Sequence, residues 1–242
     1  MKQNYSNYTN EHQQVWKILF DRQMAQLETM ATNEYLQGLD RIAFNGNVIP
    51  NFSNTNELLQ KLTGWQVYAV PGIVADDTFF DLMSAKKFPA TTWVRKMSEL
   101  DYLEEPDMFH DVFAHVPMLT NPHFANFLQE LSKLGKAWLN NDRAIHLLSR
   151  IYWYTAEFGL INENNNLKIY GAGILSSFGE SKYSLSNEPE HKEFDIKTIL
   201  NTTYRKDKMQ EVYFIIEGYS QLYEAIPTIK NTIESMLEEE MA

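Results

Sequence analysis

Pro106-Asp107-Met108-Phe109-His110-Asp111-Val112-Phe113-Ala114-His115 follows an acidic pair, Glu104 and Glu105. Proline suits the first position of a helix, because its φ is preset and the N–H it lacks would be unpaired there anyway. A helix is therefore expected from about Asp107. It carries two imidazoles five residues apart with apolar Val112, Phe113 and Ala114 between them. At about 100° per residue these rings point roughly 140° apart, unlike the i, i+4 pair of an HExxH zinc protease, which shares one face. Both rings reach one point if the helix is locally underwound, as in a π-bulge, or if His110 sits in its first turn. Taken alone, two histidines in ten residues more often mean core or surface residues than a metal site.

Ile151-Tyr152-Trp153-Tyr154-Thr155-Ala156-Glu157-Phe158-Gly159-Leu160 is apolar or aromatic on nearly every side, the pattern of a buried helix, with Gly159 at its end. Glu157 is its one acid. A buried carboxylate left unpaired costs several kcal/mol, so this one must be neutral, hydrogen-bonded, ion-paired or metal-bound. A structural bond is the plain reading for an isolated glutamate. Two histidines with one carboxylate, however, are the donor set that leaves positions open on non-haem Fe(II).

Three stretches, PDMFHDVFAHVP (106–117), IYWYTAEFGL (151–160) and IYGAGILSSFGE (169–180), resemble in order and spacing the signatures of the pterin-dependent aromatic amino acid hydroxylases, most closely the bacterial phenylalanine-hydroxylating members. The resemblance runs from about Gln13 to Ile226. It departs at Ala114, where the family usually has glycine; the added methyl is expected to tighten helix packing without touching the ligands.

The resemblance implies a mainly α fold with small β elements, a single hydroxylase catalytic domain, and a monooxygenase that converts L-phenylalanine to L-tyrosine with O₂, Fe(II) and a tetrahydropterin. His110, His115 and Glu157 would hold the iron. Phe79 would stack on the pterin, with Gly72 and Val74 offering backbone contacts and Asp111 reaching the pterin side through water. Arg95 would grip the substrate carboxylate, helped by Ser176. Tyr102, Leu103, Pro106 and Trp153 would line the amino acid pocket, and Tyr152 would tune the surroundings of the ligands. Without the resemblance, Phe79 reads as core, Arg95 as a surface ion pair and Ser176 as a loop cap. The same chemistry on C3 of phenylalanine, or on tryptophan or tyrosine, differs by few pocket residues. A zinc hydrolase or a non-catalytic metal protein is a more remote alternative, since the motif lacks the positioned base of HExxH and would leave the pterin loop idle.

Composition narrows the rest. The 242 residues are enough for one substantial core, and 44% are hydrophobic and 13% aromatic. The net charge of −11 is spread without long single-sign blocks, which argues against nucleic acid or an anionic membrane as partner. With no cysteine, any metal must be held by His, Asp or Glu. There is neither an apolar leader nor a run of 18 apolar residues, so a cytoplasmic protein is expected, and without a heptad run a monomer.

The expected organisation is a flexible tail (1–10), the catalytic domain (11–226) and an acidic C-terminal tail (227–242), for which a helix is one expectation. Within the domain, apolar spacing of three and four predicts helix from Glu11 to about Phe44. A helix from Asn54 to Leu62 and a strand near 65–70 follow, then a helix from Thr78. Pro122 opens another helix, Arg143 to Phe158 is a further one, and Asn164-Asn165-Asn166 turns a hairpin. Strands are predicted at 194–200 and 211–216, and a short helix at 219–225. His123 and His146 read as solvated or structural.

Overall fold

Val15, Trp16, Leu19 and Leu27 form one buried stripe on helix α1 (Asn10–Met30), whose start is fixed by a reciprocal cap between Thr9 and His12. The computed structural model describes residues 1–101, 103 and 105–241. The continuous helix expected to Phe44 is instead two. At Ala31–Thr32 the chain turns out to meet a strand: the Thr32 N–H donates to the Ile169 carbonyl (2.9 Å) and its hydroxyl to Glu163 (2.8 Å). Helix α2 (Asn33–Arg41) then starts afresh.

Helix α3 (Phe52–Leu62) begins earlier than Asn54, because the Asn51 side chain accepts from the N–H groups of Ser53 and Asn54. Strand β1 (Gln66–Val70), helix α4 (Asp76–Ser84) and strand β2 (Lys87–Thr91) form a two-stranded parallel unit, Gln66 opposite Lys87. After the His-containing segment come α5 (Pro122–Ala137), capped by Asn121 with proline at its first position, and α6 (Asp142–Tyr152), capped by Asn141.

A hairpin follows, β3 (Leu160–Glu163) and β4 (Asn166–Ile169), with Glu163 opposite Asn166. Its two loop residues, Asn164 and Asn165, both have positive φ (54° and 61°), the twist a two-residue hairpin requires and asparagine tolerates. Then come α7 (Ala172–Leu175), α8 (Phe178–Ser184), β5 (Glu190–Glu193), α9 (Ile196–Asn201), β6 (Val212–Ile216), α10 (Tyr219–Glu224) and α11 (Ile226–Met241). The four-stranded sheet has the order β4-β3-β6-β5. Residues 196–201, expected as part of a strand, are helical because the Asp195 carboxylate caps the Thr198 N–H (2.8 Å) and starts a turn; the strand lies just before it. The mainly α fold with small sheets is as expected from the sequence.

Both ends of the chain make specific contacts with the body. Tyr5 donates its hydroxyl to the Ile49 carbonyl and Tyr8 to that of Thr92, each at 2.7 Å, so residues 1–10 do not lie loose as expected. Helix α11 buries Ile229 and Ile233 completely, and Glu240 pairs with Arg143 at 2.7 Å. Among the described residues no helix is long and apolar enough to cross a membrane.

Trp16, Trp65, Tyr154, Phe113 and Phe127 are fully buried, each contributing about 1.5–3 kcal/mol of transfer free energy. Two glycines let backbone meet backbone beside this core. A Cβ on Gly171 would stand 2.4 Å from the Gly159 nitrogen and 2.5 Å from the Glu157 carbonyl oxygen. The Gly171 N–H donates to the Gly159 carbonyl at 3.0 Å, so the strand end before α7 lies directly on the chain that follows Glu157. Gly171→Ala should therefore destabilise the protein by about 1–3 kcal/mol through overpacking, read as a lowered urea midpoint; an unchanged midpoint would show that the two segments separate freely.

Candidate metal centre and its cavity

Phe109–His115 forms a π-helical turn, the underwound alternative that makes a five-residue spacing useful. Widening the hydrogen-bond pattern to i→i+5 swings residues five apart toward one side. Local chemistry explains why it forms here. Pro117 has no N–H to give to the Phe113 carbonyl four residues back, and the Tyr35 hydroxyl donates to that carbonyl instead (3.0 Å). At the other end, Asp107 is fully buried, and its Oδ1 accepts from the N–H groups of Phe109 (3.1 Å) and His110 (3.3 Å). The Phe113 carbonyl thus has an outside partner where a regular helix would supply one, and Asp107 caps first-turn N–H groups that no helix pairs internally.

A second π turn, Trp153–Glu157, carries the carboxylate. Here the Thr155 hydroxyl donates to the Ile151 carbonyl (2.6 Å), competing with the backbone, and the Phe158 N–H reaches back five residues to the Trp153 carbonyl (2.8 Å).

The two turns bring three donors together. Nε2 of His115 lies 3.1 Å from Glu157 Oε1, Nε2 of His110 lies 3.6 Å from Oε2, and the two Nε2 atoms are 3.3 Å apart. Neighbouring ligands on an octahedral ion with bonds of about 2.1 Å sit about 3.0 Å apart, so the spacing suits one shared cation.

Hydrogen bonding fixes which His110 nitrogen is available. Ser176 donates its only hydroxyl proton to the Ala172 carbonyl (2.9 Å), so at 2.9 Å it must accept from Nδ1–H of His110. That leaves the Nε2 lone pair facing the other donors. Burial lowers the His110 pKa, against a smaller upward pull from Glu157, which favours the neutral imidazole. For Glu157 burial pushes up, but the His115 and His110 imidazoles outweigh it and hold the carboxyl down at about 2. Two imidazoles and a carboxylate, with no thiolate in the chain, form a set that suits Fe(II) and leaves its other positions open.

The donors form the floor of a cavity of about 360 Å³. Gly72, Val74, Phe79 and Asp111 line it, as do Pro106, Tyr152 and Trp153. Phe79 stands edge-on to Phe80 (5.4 Å) and Tyr152 (5.6 Å), and a Cβ on Gly72 would meet nothing within 4 Å, so the loop is open at this point. Asp111 accepts from the Thr91 N–H at 2.8 Å, and burial raises its pKa.

Arg95, Leu103 and Ser176 do not line the cavity among the described residues, and Tyr102 lies outside those residues. Arg95 is 9% exposed and holds Asp107 in a two-pronged pair, Nε to Oδ2 and Nη2 to Oδ1, both 2.9 Å. It is no surface ion pair. Nη1 points past this pair toward the Leu100 carbonyl (3.5 Å). His146, expected to be structural, bonds to Arg150 at 3.2 Å, and Ala114 is fully buried.

Sequence reasoning missed Asp107, whose place one step after Pro106 was a signal for a helix-capping acid. It also missed Tyr204 and Lys206, which line the cavity from a loop with no motif.

Comparison with known proteins agrees with this geometry. Residues 2–240 match the family of biopterin-dependent aromatic amino acid hydroxylases. Phenylalanine-4-hydroxylase of Ralstonia nicotianae is 45% identical over 93% of this chain and 72% of its own length. That of Caulobacter vibrioides is 46% identical over 92% and 76%. The crystal structure of Chromobacterium violaceum phenylalanine hydroxylase with bound oxidised Fe(III) superposes with a TM-score of 0.94 at 42% identity, over 98% of this chain and 86% of that one. With this match over nearly its whole length, the chain belongs to the biopterin-dependent aromatic amino acid hydroxylases.

Proposed function

We infer that the protein is an Fe(II)- and tetrahydropterin-dependent monooxygenase that converts L-phenylalanine to L-tyrosine with O₂. The observation that carries this reading is the meeting of His110, His115 and Glu157 at the floor of an aromatic-walled cavity in a chain of this family. When bound, iron and reduced pterin together supply the electrons and the activation of O₂ that aromatic hydroxylation needs.

The chain's own residues bind, orient and shield. His110, His115 and Glu157 hold the metal on one face, with Ser176 keeping His110 in the required tautomer. Phe79 offers a ring for the flat pterin, and the open space at Gly72 admits it against the backbone of Gly72 and Val74. Asp111, anchored on Thr91, faces the same side.

On the amino acid side, Arg95 is held in place by Asp107, which leaves part of its guanidinium for a substrate carboxylate. Pro106 and Trp153 confine the aromatic ring, and Tyr152 packs between the two sides against Phe79. Fixing position and orientation of the ring is what selects C4. The working unit is a monomer: Ile229 and Ile233 of α11 are used in packing within the chain.

Three outcomes test this reading. Fe(II)-loaded protein given phenylalanine, tetrahydropterin and air should form p-tyrosine, and none without pterin; m-tyrosine as the main product would refute the C4 assignment. Glu157→Ala should retain its helical circular dichroism while losing Fe(II) on dialysis and forming no tyrosine; stoichiometric iron in this variant would overturn the ligand assignment. Arg95→Lys keeps a charge on Asp107 but loses the fork, and should raise the KM for phenylalanine about 10- to 100-fold, the range for a charged hydrogen bond, with the pterin KM little changed.

A further inference from the structure

Gln210 is 4% exposed, lies in none of the three motifs, and uses every polar atom of its side chain. Its Oε1 accepts from the Trp153 indole N–H at 2.9 Å. Its Nε2 donates to the carbonyls of Arg205 (2.9 Å) and Lys208 (3.0 Å). The amide can be oriented only one way, because an indole N–H only donates and backbone carbonyls only accept. Its backbone N–H donates to Oε1 of Glu180 (3.0 Å), which also accepts from the Tyr213 hydroxyl (2.6 Å). Glu180 is 8% exposed, so Gln210 is anchored to an interior group, away from the cavity.

Two cavity elements hang on this one side chain. Trp153 is stacked on Tyr204, with ring centroids 4.3 Å apart and planes within 14°. The stack fixes the indole plane, and the bond to Gln210 fixes its rotation within that plane by holding the N–H edge. Trp153, so held, lines the cavity. The loop clasped by the Gln210 amide runs from Arg205 to Lys208, and both Tyr204 and Lys206 line the same cavity. Tyr204 is tied in turn to Ser149, another lining residue, at 3.2 Å.

We propose that Gln210 is the positioning residue of the amino acid side of the site: it sets the edge of Trp153 and the Tyr204–Lys206 loop against the substrate ring. It touches neither substrate nor metal and acts through Trp153 and the Tyr204–Lys206 loop. The inference rests on the hydroxylase reading above. Its consequence is selective, because Phe79, Gly72 and Val74 stand on other elements, so the pterin side is unaffected by Gln210.

Gln210→Leu, of similar volume with no polar atom, tests this in the full-length Fe(II)-loaded protein. Of the three side-chain bonds lost, the one to Trp153 alone should raise the KM for phenylalanine about fivefold to tenfold, the size expected from one neutral hydrogen bond, while the pterin KM stays within about twofold. More pterin should be oxidised per tyrosine formed. The Trp153 indole ¹⁵N–¹H signal, assigned by its loss in Trp153→Phe, should exchange with solvent faster. In the Trp153→Phe background the same leucine substitution should raise the phenylalanine KM by a smaller factor than in the unmutated protein, since the indole donor is gone and only the clasp on the Arg205–Lys208 loop is left to lose.

An unchanged phenylalanine KM, an equal rise in the pterin KM, or an undiminished effect in the Trp153→Phe background would overturn the proposal. Where Gln210→Leu does not fold, Trp153→Phe alone must show the phenylalanine-selective rise, and its absence refutes the proposal. Failure of the hydroxylase reading is separately visible, as an unmutated protein that forms no tyrosine.

Discussion

Two imidazoles five residues apart can face a common point only where the helix that carries them is widened, and that widened turn is the constraint on which the site depends. A π turn has few intrinsic advantages, so its stability must come from groups outside it. Here Asp107 satisfies the N–H groups at its start, Tyr35 takes the carbonyl that Pro117 cannot, and Phe109 and Phe113 stack within it at 4.4 Å. The same solution recurs beneath Glu157, with the Thr155 hydroxyl as the intruding donor. The three donors sit on two widened turns, where side chains leave the spacing of an α-helix.

Three buried acids show how partners, more than burial, decide what a carboxylate does. Glu157 faces two imidazoles and is held at about 2, a permanent anion ready to share a cation with them. Glu180 has only neutral donors, the Tyr213 hydroxyl and the Gln210 N–H, and burial raises its pKa. Asp107 meets the Arg95 fork and three backbone N–H groups, so all its acceptor capacity is committed. The first suits ligation, the second an interior anchor and the third a joint between the Arg95 strand end and the metal-binding turn. Each role follows from which donors surround the group.

Much of the centre was legible in the sequence because its constraints are local. A lone acid in an aromatic helix and two histidines at a spacing unsuited to an α-helix both demand an unusual local structure, and an underwound turn was one of the two ways to meet that demand. What could not be seen depends on contacts between distant parts of the chain. The break at Thr32 comes from pairing with Ile169; the helix at 196–201, by contrast, starts at a local Asp195 cap that outweighs a strand-like pattern and stood in the sequence to be read. Tyr5 and Tyr8 look like tail residues until their hydroxyls find carbonyls near 49 and 92. Arg95 read as a surface residue by composition alone, and only the fold brings Asp107 to it.

The walls of the cavity stand on separate supports. The Gly72–Phe79 side belongs to the connection between β1 and α4, whereas Trp153 and the Tyr204–Lys206 loop belong to the end of α6 and the approach to β6. The floor between them is clamped by Gly171 lying on the backbone after Glu157, with a separation that would not admit one methyl group. Close-packed backbone of this kind has no free volume to absorb a displacement, so it passes strain on to its neighbours. The 204–210 loop reaches the Trp153 ring through Tyr204 and Gln210, and Trp153 opens the turn that ends at Glu157, so the wall that meets the substrate ring and the metal-binding carboxylate share one short segment of chain.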